Sequence, residues 1–457
     1  MIKTETLENK ISLISLPVIL GAVAGALLLT DGHLRLMIVA LACVFPVILY
    51  ISQKPFITIL KLMLFVVFFI PFHSFDFLNP LKVFNPLVVL CLIAAMKLLL
   101  GMLARDRKEG ARLTIIDSLY LLFLISASIS SLRAVSLFGS LNWLFYSVTT
   151  GYIVYRVILA LPPGEIKGLI KFLVLMNSLS ALYGIGEFLS GHSLIFGTTT
   201  AGRLTSMLGH PVMNGLVLAT FFPFSAALYL ETKQKRYIVS SAVIFAAIIL
   251  TFARGSWLSL SMGLLVMFLL SRFYIKIQLL LIVFILIGCL GLLPPVMQLV
   301  SKRLHENESN RYSSFTVRKE AFPVAFAIIR DRPFFGGGPF NSGWYRERYT
   351  IDVNVKSFSL ENTYLGLLVD LGFVGAFFLI LLFLAVLMNS VFAPWSDSGS
   401  DIYRIAAIAS LVILVLNMET FSLEVYKLFH FLVWFSIGLN IVVSGTGVKS
   451  LPLEQKR

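Results

Sequence analysis

The sequence has little charge and very little cysteine. Only 13% of its 457 residues are Asp, Glu, Lys or Arg, about half the share usual in a soluble chain, while 58% are hydrophobic and the mean hydropathy is +0.91. That excludes a water-soluble globular protein, because too few polar groups exist to cover its surface. Three cysteines, Cys43, Cys91 and Cys289, each lie inside an apolar run. They exclude a disulfide framework or thiolate metal site and read as core side chains. Six scattered histidines argue against a metal centre. Soluble-enzyme motifs are also missing. The stretch Gly445 to Ser450 has the wrong spacing for a phosphate-binding GxxxxGK[ST] loop, and there is no HExxH, no CxxC and no D-x-D pair to hold a metal against a nucleotide sugar.

What the chain has instead is a succession of apolar runs of roughly membrane-spanning length. Read between polar breaks, they fall near 11–30, 34–51, 56–72, 83–103, 115–131, 138–160, 167–189, 211–230, 237–253, 255–271, 276–298, 360–388, 403–418 and 424–443. The predicted fold class is an all-α polytopic membrane protein with about 12–14 transmembrane helices and one long external loop containing short helices. No internal repeat or low-complexity tract is visible. A full-length span without a cleavage pattern follows Lys10, so the N-terminus reads as a first span rather than a cleavable signal.

The surplus of 14 positive charges first suggests nucleic acid, but in a membrane chain basic loops retained in the cytoplasm explain it better. Arg105, Arg107, Lys108 and Arg112, then Lys233, Lys235 and Arg236, then Arg272 and Lys276 all fall on one side of the span model. Both termini share that cytoplasmic side, and no nucleic-acid partner is expected. The stretch 301–358 lies on the other side despite ten basic residues, among them Arg311, Arg318, Arg330 and Arg332, diluted by Glu306, Glu320 and Asp331. It reads either as a solvated loop of mixed charge or as a surface for an anionic substrate. Within it, 316–330 has the periodicity of a short amphipathic helix lying on the membrane, before Pro333 and the run Gly336-Gly337-Gly338-Pro339. The expected organisation is 1–300 (spans one to eleven, with outward-facing arginines), 301–358 (external loop), 359–445 (spans twelve to fourteen) and 446–457 (cytoplasmic tail).

Ionisable groups at the outer ends of spans are the candidates for chemistry. Arg254 sits in a turn too short to be a solvated loop, and Arg203 precedes the eighth span. Each is either an ordinary interfacial charge or a fork of donors suited to phosphate oxygens. Glu361 opens the twelfth span. It reads as a helix-dipole partner behind an N-cap at Ser359, or as a general base at the outer surface. Asp370, deeper in the same span, is expected to face the bundle interior in a structural or coupling role. Glu187 either meets these groups or sits at the interface. His210 reads as the residue that opens a helix before Pro211, with catalysis as the alternative. The triple glycine serves either close approach to a ligand or a flexible turn.

Four segments, in order and spacing, resemble the O-antigen ligase/polymerase family of bacterial envelope membrane proteins. They are Gly209-His210-Pro211-Val212-Met213-Asn214-Gly215; Thr251-Phe252-Ala253-Arg254-Gly255-Ser256-Trp257; Arg318 followed by Arg332-Pro333-Phe334-Phe335-Gly336-Gly337-Gly338-Pro339-Phe340; and Glu361-Asn362-Thr363-Tyr364-Leu365 with Gly372 beyond. The resemblance implies a metal-independent inverting glycosyltransferase of the inner membrane. Its donor would be a glycan on undecaprenyl diphosphate, used at the periplasmic face without a cofactor. It also implies that Arg254, Arg203 and Arg318 bind the diphosphate, with His210, Asn362 and Tyr364 in support. Ligases of the family carry histidine where this chain has Glu361, so the resemblance favours a polymerase with glutamate as base over a ligase that transfers to lipid A-core or a protein. The implied partners are the lipid-linked glycan, an acceptor glycan or lipid, membrane lipids and a chain-length regulator. A lipid-linked glycan transporter, which would distribute charge through the membrane depth, and a non-catalytic scaffold are the rival readings.

Overall fold

The computed structural model describes residues 50–70, 86–104, 114–193, 197–198, 202–291, 314–339, 360, 362–395, 401–419 and 427–445. Fourteen α-helices lie among them, numbered here in chain order. They are α1 (Phe56–Phe69), α2 (Pro86–Ala104), α3 (Ile115–Ser131), α4 (Leu137–Trp143), α5 (Thr150–Leu159), α6 (Pro163–Ser190), α7 (Pro211–Thr232), α8 (Lys235–Leu250), α9 (Arg254–Leu270), α10 (Phe273–Gly291), α11 (Ser314–Asp331), α12 (Thr363–Phe392), α13 (Asp401–Asn417) and α14 (Lys427–Val443). A two-residue hairpin, β1 (His192–Ser193) with β2 (Gly197–Thr198), is the one extended element described. The protein is an all-α polytopic membrane protein. Helices α6, α7 and α12 are each long and apolar enough to cross a bilayer.

Twelve of the fourteen expected spans coincide with helices. The run 11–30, and 34–51 but for its last two residues, lie outside the described residues. The expected span 138–160 is divided: α4 passes through a π-helical stretch, Leu144–Thr149, into α5. The centre is α7, hydrophobic around its whole circumference and buried along almost all of its length, as such a pattern requires. It packs on α13, α8, α9 and α6. Outward from this centre, α13 joins α9 to α14, α14 packs on α5, and α12 lies along α3.

Polar groups hold the end of the bundle that carries the basic loops. Asp117 closes a capping box with Thr114 and pairs with Arg156 at 3.0 Å, while the Tyr152 hydroxyl donates to it at 2.6 Å. Lys167 and Glu231 pair at 2.8 Å, joining the start of α6 to the end of α7. Arg404 is only 2% exposed. Its guanidinium donates to the carbonyls of Ser390 (2.5 Å), Val391 (3.0 Å), Ala393 (2.7 Å) and Pro394 (3.0 Å). A cation thus caps the C-terminal carbonyls of α12, where the helix dipole is negative.

At the opposite end α12 is broken. Gly372 has φ 66° and ψ −171°, so the helical ladder stops there. Unsatisfied backbone groups are costly inside a bilayer, and the glycine-rich segment supplies their partners. The carbonyls of Val369 and Asp370 accept from the amides of Gly337 (2.8 Å) and Gly338 (2.9 Å), and the amides of Phe373 and Val374 donate to the carbonyls of Pro333 (2.8 Å) and Phe334 (3.1 Å). Ser130 also donates to the Asp370 carbonyl at 2.6 Å. A Cβ at Gly372 would overlap the backbone of Phe334, so close approach as well as positive φ requires glycine there. The glycine run is therefore a fixed contact and not a flexible turn. It carries the external segment into contact with a bent span. Asp370 is buried at this bend, as its depth suggested.

The expected amphipathic helix 316–330 is α11. Its apolar face packs on the protein instead of only on lipid: Val324, Ala325, Ile328 and Ile329 form a small separate core with Leu360, Leu365 and Val369 of the α12 region. This places α11 against the start of α12.

Candidate active site

Three of the sequence segments singled out above converge at the end of the bundle opposite the basic loops. Helix α8 ends in the turn Thr251-Phe252-Ala253, and α9 begins at Arg254. Phe252 holds φ 50°, a strained value for a bulky side chain. It is kept there by burial between Phe188 and Trp257, ring centroids 6.3 Å from each. Arg203 clamps the same turn, donating from Nε to the Thr251 carbonyl at 2.9 Å and from Nη2 to the Phe252 carbonyl at 3.4 Å. The neighbouring Leu204 amide bonds the Leu250 carbonyl at 3.0 Å.

Arg254 is exposed and makes no hydrogen bond or ion pair with a described residue. It occupies the first position of α9, whose N-cap, Ala253, has no capping side chain. A cation gains nothing from the helix dipole there. An anion would meet both the guanidinium and the unsatisfied amides of the first turn.

His210 is the N-cap residue of α7, in extended conformation before Pro211. One turn on, Gly215 lets α7 approach α9: a Cβ there would lie 2.7 Å from Ser256 Oγ and 3.1 Å from Thr251 Oγ1. The His210 and Arg254 segments are thus packed together through Gly215. Burial first, and the positive charge of Arg203 second, push the His210 imidazole down to about 4 from its ordinary 6.5. It is neutral at physiological pH and adds no cation to the site.

The folded state resists protonation at His210 and the unfolded chain does not, so this contribution is complete above about pH 6.5 and is lost as pH falls towards 4. At about 1.4 kcal/mol per pH unit, it is worth about 3 kcal/mol. Thermal unfolding in detergent at pH 7.5 and pH 4.5 should show a smaller acid-induced loss for His210→Gln than for wild type. Parallel losses would remove His210 as the titrating group.

The start of α12 joins the same layer through the end of α13. Asn417 accepts from Ser256 Oγ at 3.3 Å and donates to Ser259, both in the first turns of α9. Next in the chain, the Met418 carbonyl accepts from the Thr363 amide at 2.8 Å, and the Tyr364 hydroxyl donates to the Val415 carbonyl at 2.7 Å. The Arg254 turn is therefore linked, through the end of α13, to the residues that follow Glu361. The helix starts at Thr363 with Asn362 as its cap, its side chain accepting from the Leu365 amide at 3.1 Å. The expected N-cap at Ser359 is thus corrected. Glu361 precedes the cap, which removes the helix-dipole explanation for a carboxylate in the first turn.

Glu361 itself lies outside the described residues, as does the side chain of Arg318, whose backbone belongs to α11. Asn362 and Tyr364 have structural hydrogen bonds. Sequence reading missed the connecting residues Ser256, Ser259 and Asn417, and also Asn214. The Asn214 carboxamide is fully buried one turn below His210, with neither polar atom hydrogen-bonded among the described residues. Asparagine within an apolar run was the available signal. No group of three or more His, Cys, Asp or Glu side chains suited to a metal occurs among the described residues.

The fold and this layer define a class first: a multi-pass α-helical membrane protein with arginines gathered at one end. Residues 239–380 match the model of the family described as O-antigen ligase, which supports an assignment to the O-antigen ligase/polymerase family. No curated protein matches the chain. The family is one of glycosyltransferase-like enzymes that act on lipid-linked glycan and acceptor substrates. The matched segment contains Arg254, Arg318, Glu361, Asn362 and Tyr364 but begins after Arg203 and His210. Those two are joined to it by the contacts described above.

Proposed function

We propose that the protein is an envelope polysaccharide polymerase of the bacterial inner membrane, working at the periplasmic face with both termini in the cytoplasm. It transfers glycan from undecaprenyl diphosphate to an acceptor sugar hydroxyl with inversion. Arg254 and Arg203 hold the diphosphate, joined by Arg318 from α11. Glu361 takes the proton of the acceptor hydroxyl as its oxygen attacks the anomeric carbon, and the lipid diphosphate leaves with the electron pair of the broken bond. Guanidinium groups stabilise the charge that gathers on that leaving group. No cofactor is required by this chemistry. The described part of the external segment borders the start of α12, and in this reading the chain divides at 300 and 358.

The observation that supports this most is the link from the Arg254 turn through Ser256, Asn417 and Met418 to Thr363, which ties that turn to the start of α12. Glutamate in place of the family's histidine supports polymerase over ligase, and a chain-length regulator is then the natural partner. Deleting the gene distinguishes the two on a gel of envelope polysaccharide. A polymerase predicts loss of the ladder with single-repeat glycan still attached to its acceptor. A ligase predicts loss of the single-repeat band as well, and an unchanged ladder would sink both.

A further inference from the structure

Below the proposed diphosphate site lies a polar pair that the mechanism leaves unused. Glu187, in the last turn of α6, is 4% exposed. One carboxylate oxygen, Oε2, accepts from the Thr205 hydroxyl at 3.2 Å, and the other, Oε1, is buried with no hydrogen-bond partner among the described residues. Tyr183 lies one turn earlier on the same face of α6, and its hydroxyl is also buried with no hydrogen-bond partner among the described residues. A buried carboxylate oxygen and a buried phenol left unsatisfied each cost free energy. Two of them at adjacent turns, at the outer end of a span, point to a ligand that supplies the missing bonds.

The cover over this pair is the segment 202–209, which carries Arg203. It is stitched down by Thr205 to Glu187, and by Ser206, which donates to the Ser180 carbonyl at 2.9 Å. Ser206 holds φ 51°, a conformation an L side chain seldom adopts. The cover is thus latched in a strained form. Glu187 also adjoins the arginine layer, since its neighbour Phe188 packs on Phe252, two residues before Arg254.

We propose that Glu187 and Tyr183 form a recognition site for hydroxyl groups of the donor's first sugar, the one bonded to the diphosphate. This rests on the donor reading above. With the diphosphate on Arg203 and Arg254, the attached sugar lies within one bond of that layer. When the Thr205 hydroxyl turns away, with Arg203 still on the Thr251 and Phe252 carbonyls, Oε2 is freed and the carboxylate accepts from sugar hydroxyls, while the Tyr183 hydroxyl donates to or accepts from a third. A carboxylate suits neutral sugar donors because charge-assisted hydrogen bonds are the strong ones. Glu187 and Tyr183 bind and select; they do not touch the reacting bond.

The test uses the full-length protein in detergent and two probes, undecaprenyl diphosphate and the same lipid carrying one repeat unit. Wild type is expected to be stabilised against heat more by the glycosylated lipid than by the bare one. Glu187→Gln and Tyr183→Phe should lose that increment and keep the response to the bare lipid. In vesicles, Glu187→Gln should raise the donor KM about tenfold with kcat within about threefold of wild type, whereas Thr205→Val should not raise KM. An unchanged increment and KM in both Glu187→Gln and Tyr183→Phe would overturn the proposal. So would a Thr205→Val defect matching that of Glu187→Gln, which would make Glu187 an anchor for the cover and nothing more. Wild type that responds only to the glycosylated lipid would sink the diphosphate reading and support the sugar site. No response to either lipid would sink both.

Discussion

Glu361→Gln is expected to lower the turnover of glycan transfer by at least about 100-fold, the usual scale for losing a general base. Donor KM should change little. Glutamine keeps the size of the side chain and one acceptor oxygen but cannot take the acceptor's proton. Because Asn362 caps α12, the helix does not need a carboxylate at 361, and the variant should match wild type in thermal stability. A structural role would give the reverse pattern, with stability lost and turnover kept. The rising limb of the kcat/KM against pH profile should also vanish in Glu361→Gln. Glu361→His should recover part of the rate, since a neutral imidazole takes a proton. Initial rates in vesicles measure all three, and equal turnover for wild type and Glu361→Gln would remove Glu361 from the mechanism.

The apolar runs carried most of the fold, because a segment about 20 residues long with few charges has one stable option in lipid. That is why 115–131 and 211–230 coincide with α3 and α7 to within two residues. The break at Gly372 was not legible. A glycine in an apolar run looks the same whether the helix is straight or bent, and the partners of the freed backbone groups lie some 35 residues away, at Pro333 to Gly338. The glycine run was conspicuous in the sequence, but the span it packs on was not. Within the candidate site, individual arginines were visible from their position at the outer ends of spans. Their relation to one another was not. It depends on Gly215 admitting α9, on Asn417 reaching Ser256, and on Arg203 reaching back to Thr251. Each of these is a contact between elements far apart in the chain, and no periodicity encodes it. Glu187 showed the limit from the other side: a carboxylate near a span end was noticed, but burial and the unsatisfied oxygen appear only once α6 and the 202–209 segment are folded together.

Arg254→Ala is expected to cost about 100- to 1,000-fold in kcat, the range seen when one donor to a developing negative charge is removed. Arg254 is exposed, opens a helix without a capping side chain, and has no hydrogen bond or ion pair among the described residues, so its removal breaks no internal contact and should leave the fold intact. Arg203 differs, because its guanidinium braces the Thr251 and Phe252 carbonyls. Arg203→Ala should therefore lower stability as well as activity. Under the proposed mechanism the leaving diphosphate gains charge as the glycosidic bond breaks, so Arg254 acts more strongly in the transition state than on bound donor, and kcat falls more than KM rises. Arg254→Lys separates charge from geometry. Lysine keeps the cation but loses the planar fork that engages two phosphate oxygens together, so its rate should lie between those of Ala and wild type. Donor saturation curves for the three proteins, at matched levels in the membrane, decide the matter. A KM increase with unchanged kcat in Arg254→Ala would mean that the guanidinium only gathers the donor, and a normal curve would mean that the diphosphate is held elsewhere.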